Sequence, residues 1–257
     1  MAILIAAFLC SCSAKEGESQ AIVAKLKEKY GLTVHQLDDA NQLPSSVVFK
    51  INSGEAVVKI SPLKGGQFFN YLSVLQKALA KYPQSLIRNT LTDVYIGGPY
   101  TENDAIIVGM YERTKLFLFY NHKEGNNAPL FLEQTFHHEF SSILIQRYDF
   151  PAFDWLKLNP KDFSYIINPK KIDEYMNSVG TYAADKAMLE QGVISAYGMV
   201  NAENDINTYA ELIFTQPDKM KQYINTYPVI AKKYQMIKKF YLSLSPQFKA
   251  IFSLIDD

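Results

Sequence analysis

Phe136-His137-His138-Glu139-Phe140-Ser141-Ser142 lies inside a run, residues 130–148, whose apolar side chains recur at the spacing of an amphipathic α-helix. Hydrolytic zinc enzymes place His-Glu-x-x-His on such a helix, because residues four apart share one face and can bind one metal ion together. The glutamate then activates the metal-bound water as a general base. His138 and Glu139 occupy the first two positions here, but Ser142 replaces the second histidine. The stretch therefore predicts a helix of zinc-hydrolase type that has lost one ligand position.

The residues around this motif resemble a known family. Residues 136–146, Phe-His-His-Glu-Phe-Ser-Ser-Ile-Leu-Ile-Gln, resemble the HHEFxHILHQ segment of the substrate import-associated zinc metallohydrolase lipoproteins of Bacteroidetes, which are encoded beside outer-membrane import systems. Ile145 stands where that segment has a further histidine. The resemblance implies a zincin-like metallopeptidase fold, with His138 as a zinc ligand and Glu139 as the catalytic base.

A second segment, residues 192–211, is similar to the same family. It runs through Tyr197 to Tyr209-Ala210-Glu211, like the family's Gly-to-Tyr-Ala stretch that leads into a Glu-Asp-Phe-Ala-Glu helix. The first glutamate of that helix is the family's third zinc ligand. Counting from Tyr197 places the ligand position at Asn204, whereas aligning Tyr209-Ala210-Glu211 with Phe-Ala-Glu places it at Asn207. Both registers put an amide where a carboxylate is expected.

Two further residues of this segment are candidates for the site. Glu203 adjoins Asn204, and it reaches the metal position if the helix begins differently. Tyr197 matches a tyrosine that lethal-factor-like zincins place near the substrate carbonyl, where a phenol stabilises a developing oxyanion. The resemblance therefore implies Glu139 and Tyr197 as catalytic groups, and His138 with Glu203 as the remaining metal ligands.

The number of ligands limits what such a site can do. One imidazole cannot hold zinc in the usual catalytic geometry of three protein ligands. His137 points about 100° around the helix from His138, so we do not expect it to bind the same ion. The other histidines, His35 and His122, belong to the N-terminal half of the chain. We therefore expect zinc to bind weakly or not at all.

The hydropathy pattern divides the chain before residue 130 and predicts an α+β fold. Residues 20–129 mix β-branched runs with helical periodicity and predict an N-terminal α/β lobe, whereas residues 130–257 predict a mostly helical lobe. The predicted helices are residues 20–30, ended by Gly31, and residues 68–82, 130–148, 170–176, 182–189, 205–214, 218–227, 229–244 and 247–255. The predicted strands are residues 46–50, 56–60, 93–96, 104–108 and 115–120, with Asn52-Ser53-Gly54 as a hairpin turn between the first two.

Residues 1–19 have the pattern of a lipoprotein signal followed by a tether. The apolar stretch from Met1 to Leu9 is too short to span a bilayer, and it resembles the core of a signal peptide. Leu9-Cys10-Ser11-Cys12 resembles a lipobox, so we predict lipid attachment at Cys12. Cys10 is the alternative acceptor, and an ordinary cleaved signal is the alternative process. Polar residues 13–18 resemble the surface-export signals of Bacteroidetes lipoproteins, which predicts an outer-membrane lipoprotein exposed at the cell surface.

Composition narrows the class of protein and its partners. Hydrophobic residues make up 48% of the chain, as in a folded body. The 26 Lys and Arg residues balance 26 Asp and Glu residues. No overall field therefore favours nucleic acid, and we predict no nucleic-acid partner. Both cysteines precede residue 13, which excludes a disulfide framework in the rest of the protein.

Three functions fit these observations. The first is a zinc metallopeptidase-like surface lipoprotein with an impaired metal site, which processes a nutrient polymer beside an outer-membrane import complex. The second is a non-catalytic relative that binds a peptide or a glycan, or serves the transporter as an accessory. The third is a structural lipoprotein without a functional cleft. The family resemblance favours the first function, whereas the number of ligands favours the second.

Overall fold

The protein combines helices with two small β-sheets, as the predicted α+β class requires. The computed structural model describes residues 2–64, 66–121 and 128–257. Contacts between Cα atoms divide the chain into two compact units, Met1–Glu139 and Phe140–Asp257. The division falls inside a helix, whereas the sequence placed the boundary before residue 130. The sequence records where the type of secondary structure changes. The division into units instead reflects how densely residues contact one another.

The first unit contains both sheets. Its helices are α1 (Ala2–Tyr30), α2 (Ser45–Ser53), α3 (Gln67–Leu79), α4 (Gln84–Thr90) and the first part of α5 (Pro129–Arg147). Its strands are β1 (Thr33–Leu37), β2 (Val58–Ile60), β3 (Asp93–Gly97), β4 (Tyr100–Glu102), β5 (Ala105–Ile107), β6 (Gly109–Glu112) and β7 (Lys115–Phe119). One sheet has the order β1-β3-β7-β6, and the other has the order β2-β4-β5.

The four-stranded sheet has Gly109 on an edge strand, β6. Strand β3 pairs in parallel with both β1 and β7, and β6 pairs antiparallel with β7, with Gly109 opposite Leu118. The predicted strands at residues 93–96, 104–108 and 115–120 are confirmed as β3, β5 and β7. Strand β6 was missed, because its sequence, Gly-Met-Tyr-Glu, is short and contains one glycine.

The predicted hairpin at residues 46–60 is wrong. Residues 45–53 form α2, and Gly54 ends this helix in the left-handed conformation, with φ of 77° and its N–H donating to Ile51 O. The β-branched run favoured a strand, but Val47 packs in a core cluster with Leu37 and Phe119, so tertiary packing overrode local propensity. Only Val58–Ile60 of the second predicted strand is extended, and it pairs with β4.

The first helix ends where the sequence predicts. Gly31 has φ of 71° and donates its N–H to Lys27 O, which satisfies a carbonyl at the end of α1. The helix spans Ala2–Tyr30 and so includes residues 13–18. Among the described residues, no helix has both the length and the apolar character that crossing a membrane requires.

The regular secondary structure of the second unit, within its described residues, consists of helices joined by loops. It contains the end of α5, then α6 (Ala152–Lys157), α7 (Pro169–Val179), α8 (Lys186–Gln191), α9 (Ala202–Thr215), α10 (Pro217–Thr226), α11 (Pro228–Leu244) and α12 (Lys249–Asp256), with a 3-10 turn at Ala196–Met199. Proline is the first residue of both α10 and α11, where its missing N–H costs little. The predicted helix at residues 182–189 begins later, because the Asp185 side chain caps α8 by accepting from Met188 N.

Candidate functional site

The middle of α5 is buried on every side. All ten residues from Thr135 to Leu144 are buried, so the prediction of an amphipathic helix is wrong for this part. Buried polar groups are costly unless they find partners, which makes the partners of these side chains the most informative feature of the site. Between Thr135 and Leu144, the buried polar side chains are His137, His138, Glu139, Ser141 and Ser142.

His137 belongs to the structural core of the first unit. Its Nδ1 lies 2.8 Å from the Tyr82 hydroxyl, and its Nε2 lies 3.7 Å from Glu133 Oε1. Burial lowers the pKa of His137 to about 4, so the ring is neutral at neutral pH. The phenol donates to Nδ1 in that state, which assigns the remaining proton to Nε2. Both ring nitrogens are therefore directed at Tyr82 and Glu133.

Glu133 anchors the start of α5. Burial raises the pKa of this carboxyl, but polar interactions with His137, Lys77 and Lys81 outweigh burial and bring it down to about 2. Lys77 Nζ lies 2.8 Å from Glu133 Oε2, and Lys81 pairs with Oε1. The first turns of α5 are thus attached to the C-terminal end of α3 and the residues that follow it by a charged cluster.

Glu139 lies against the first residue of β6. A Cβ atom on Gly109 would lie 2.6 Å from Glu139 Oε1 and 2.7 Å from its Cγ, which is too close for any real contact. The Glu139 side chain therefore occupies the space that a side chain at position 109 would need. Its charge also contributes, after burial and Tyr120, to the raised pKa of the buried Tyr71 phenol. Sequence reasoning missed Gly109, because its role depends on a strand that the sequence did not predict.

His138 is 7% exposed, and the other histidines of the described ranges, His35 and His137, belong to no metal-binding group with it. His35 Nε2 pairs with Asp93 Oδ1 at 2.8 Å, and its ring stacks on Tyr95. His122 lies outside the described residues. Within the described ranges, no group of three or more His, Cys, Asp or Glu side chains is arranged to hold a metal ion.

In the second unit, Ser142 and Asn207 are joined by a direct hydrogen bond. Asn207 Nδ2 donates to Ser142 Oγ at 2.7 Å, and the two residues are 0% and 1% exposed. Asn207 lies on α9, so the bond connects the position of the second histidine with one of the two candidate positions of the third ligand. This pairing favours the register that places the third ligand position at Asn207.

Asn204 and Glu203 lie in the first turn of α9 and are half-buried. The Asn201 side chain caps this helix by accepting from Asn204 N at 2.8 Å. Glu203 precedes Asn207 by four residues, so the two side chains share one face of the helix. The predicted ligand Glu203 is therefore one turn away from the residue that contacts Ser142.

The chemistry of the donors does not fit a zinc ion. Catalytic zinc takes imidazole nitrogen, thiolate or carboxylate as ligands. Ser142 contributes a hydroxyl and Asn207 contributes an amide, both neutral, and the amide Nδ2 is used on the hydroxyl. The Asn207 Oδ1 is buried and has no hydrogen-bond partner among the residues that the structure describes. A single neutral oxygen of this kind does not replace an imidazole and a carboxylate.

Tyr197 lies in the 3-10 turn that precedes α9. Its backbone N–H donates to Thr181 O, and the Ser195 hydroxyl accepts from Gly198 N at 3.2 Å. A Cβ atom on Gly198 would lie 3.4 Å from the Cα of Asp205, so this turn packs closely against the helix. The Tyr197 side chain itself is half-buried.

A buried ion pair, which the sequence analysis did not predict, joins α9 to α11. Lys233 Nζ is 2.6 Å from Asp205 Oδ2, and both side chains are fully buried. Burial raises the pKa of Asp205 and lowers the pKa of Lys233, against their mutual attraction. Lys233 stands at helical spacing between the buried residues Ile230 and Ile237, and this lysine on an apolar face was the signal available in the sequence.

Comparisons with known proteins agree with this architecture. A family model described as "Putative zinc-binding metallo-peptidase" matches residues 86–244, which include α5, the 3-10 turn and α9. A solved structure from Bacteroides caccae, described as a "putative zinc-binding metallo-peptidase", is 14% identical and aligns over 95% of this chain and 92% of that chain, with a TM-score of 0.59. A search of curated proteins returned no match. The structural likeness confirms the predicted metallopeptidase-like α+β fold, and since the family model matches more than half of the chain, the protein belongs to this family of zinc-binding metallo-peptidases.

Proposed function

We propose that this chain is a surface lipoprotein of the metallopeptidase family whose metal site is impaired, and which uses the retained fold to bind a peptide or a glycan as an accessory to nutrient import. The observation that carries the proposal is the buried hydrogen bond between Ser142 and Asn207. Hydrolysis by a metal-activated water needs three protein ligands on one ion. At two positions that the family resemblance assigns to ligands, Ser142 and Asn207 are hydrogen-bonded to each other.

Each unit retains a polar residue whose chemistry suits binding. The Glu139 carboxylate can accept hydrogen bonds from the N–H groups of a peptide, and the Tyr197 phenol can donate to a carbonyl or a sugar hydroxyl. Neither interaction needs a metal ion. Binding without cleavage therefore uses the retained residues, whereas a hydrolytic function would need the two ligands that the chain lacks.

The zinc content of the purified protein tests the proposal. We expect less than one zinc ion per chain in the natural protein. The double variant Ser142→His/Asn207→Glu should gain stoichiometric zinc, because it restores a carboxylate and an imidazole at neighbouring positions. Ser142→His/Asn204→Glu is the matched control, and we expect no gain from it. Stoichiometric zinc in the natural protein would falsify the proposal, and equal gains in both variants would contradict the assignment of Asn207.

A binding measurement tests the positive half of the proposal. Peptides and glycans are titrated into the natural protein with and without a chelator, and product formation is followed in the same samples. We expect binding that the chelator does not change, a weaker affinity in Tyr197→Phe, and no cleavage. Cleavage that the chelator abolishes would support the impaired hydrolase in place of the binding protein.

A further inference from the structure

Two of the buried polar side chains of helix α9 point in different directions. Asp205 and Asn207 are both 0% exposed, and a separation of two residues turns their side chains about 200° apart around the helix axis. Asn207 contacts Ser142 on α5, whereas Asp205 contacts Lys233 on α11. The helix is therefore held by polar contacts on two opposite sides within the second unit.

The contacts of Asp205 are numerous and directional. Its Oδ2 accepts from Lys233 Nζ at 2.6 Å, from Trp155 Nε1 at 2.9 Å and from the Tyr165 hydroxyl at 2.9 Å. Lys233 Nζ also donates to Gly192 O at 3.0 Å. One carboxylate oxygen thus connects α6, α9, α11 and the segment before α7.

Stability alone is a weak reason for such a pair. Removing two charges from water costs about as much as their attraction returns, and apolar residues of similar volume often serve as well. Apolar contacts, however, would tolerate a small rotation or shift of α9, because they have no preferred direction. The hydrogen bonds of Asp205 do not tolerate it, since their geometry fixes both the rotation and the axial position of the helix.

We propose that Asp205 and Lys233 form a positioning pair, which sets the rotation of α9 and thereby presents Asn207 to Ser142. The inference deepens the proposed function, because that function rests on the Ser142–Asn207 contact. Rotation of α9 by one residue, about 100°, would turn Asn207 away from α5. The pair acts through Asn207 and is assigned no contact with a ligand.

The test follows the side-chain amide of Asn207 by ¹H–¹⁵N NMR in the natural, metal-free protein. This amide is buried and donates to Ser142, so we expect its protons to exchange slowly with solvent. Lys233→Met/Asp205→Asn removes both charges and nearly preserves the volumes. We expect exchange of the Asn207 side chain to accelerate by about tenfold or more, while backbone amides of α12 keep their protection. Lys186→Met/Glu190→Gln, which neutralises an exposed ion pair on α8, is the matched control and should change neither signal.

Three outcomes would overturn the inference. Hydrogen exchange of the Asn207 side chain could stay unchanged in the neutral variant, or it could change equally in the control. Alternatively, every amide of the second unit could lose protection to the same degree, and that result would indicate a purely structural role. If the neutral variant does not fold, Asp205→Asn alone keeps every donor around position 205 and is measured in its place against the same expectations. No metal enters the measurement, so a failure of the zinc test leaves this result independent.

Discussion

At the scale of single residues, Ser142 and Asn207 compensate each other. A buried glutamate at position 207 without a metal ion would carry an uncompensated charge, which is far more costly than a buried amide. A buried amide next to an apolar residue would lose the acceptor of its N–H group. The hydroxyl and the amide resolve both problems together, which is why replacement of one ligand position by a neutral group is physically coupled to replacement of the other.

This coupling predicts non-additive stability. We expect Ser142→Ala and Asn207→Ala each to lower the free energy of unfolding by about 1–3 kcal/mol, because each leaves a buried group without its partner. The double variant should lose less than the sum, by about 1 kcal/mol. Urea unfolding of the four proteins measures the difference, with Asn204→Ala as a control at a half-buried position. Strictly additive losses would show that the bond contributes nothing.

Gly109 gives a second prediction at this scale. Gly109→Ala should displace the Glu139 side chain and lower the free energy of unfolding by about 1–3 kcal/mol, as overpacking does. In a Glu139→Ala background the same substitution should have little effect, because the occupied space has been emptied. Gly17→Ala is the control: nothing lies within 4 Å of that position, and alanine favours the helix. An equal loss in both backgrounds, seen by chemical denaturation, would contradict the contact between positions 109 and 139.

At the scale of elements, the attachment of α5 to Tyr82, Lys77 and Lys81 predicts a pH-dependent stability. The pKa of His137 is lowered from 6.5 to about 4, so the unfolded chain binds more protons than the folded protein between these values. The free energy of unfolding therefore decreases as the pH falls from 6.5 towards 4. The pKa of Glu133 is lowered from 4.5 to about 2, so the free energy of unfolding decreases further as the pH falls from 4.5 towards 2.

Urea unfolding at several pH values between 7 and 4 measures this dependence. His137→Asn keeps a hydrogen-bond acceptor for Tyr82 but does not titrate in this range, so its stability should vary less with pH than that of the natural protein. His35→Asn is the control on β1, outside the α5 attachment. A variant that loses stability as steeply as the natural protein would show that His137 is not the titrating group.

The elements also show where sequence reasoning succeeds. Helices α9, α10 and α11 were predicted because their apolar spacing acts locally, as do the prolines that open α10 and α11. The predicted strand at residues 46–50 failed, because Val47 and Val48 favour a strand locally while their burial against the sheet needs a helix. Propensity is a property of neighbouring residues, and packing depends on residues that are distant in the sequence.

The same distinction holds for the site across the whole molecule. The loss of a ligand at Ser142 is visible in the sequence, because the motif has fixed spacing. The sequence does not decide between Asn204 and Asn207, since that choice depends on which face of α9 meets α5. No sequence motif marks Gly109 or the ion pair of Asp205 and Lys233, because each of these residues contacts a partner that is distant in the sequence.

We predict that the protein is anchored to a membrane through its N-terminal segment. We expect Cys12 to carry the lipid, because leucine and serine stand at the lipobox positions before it, and several acyl chains on one residue give stable attachment to a membrane. Labelling of cells with a fatty acid should mark the natural protein and Cys10→Ser, but not Cys12→Ser. In intact cells, added protease should digest the anchored protein if it faces outward. Labelling lost only in Cys10→Ser would move the acceptor to Cys10, and an unlabelled but secreted protein would indicate an ordinary cleaved signal.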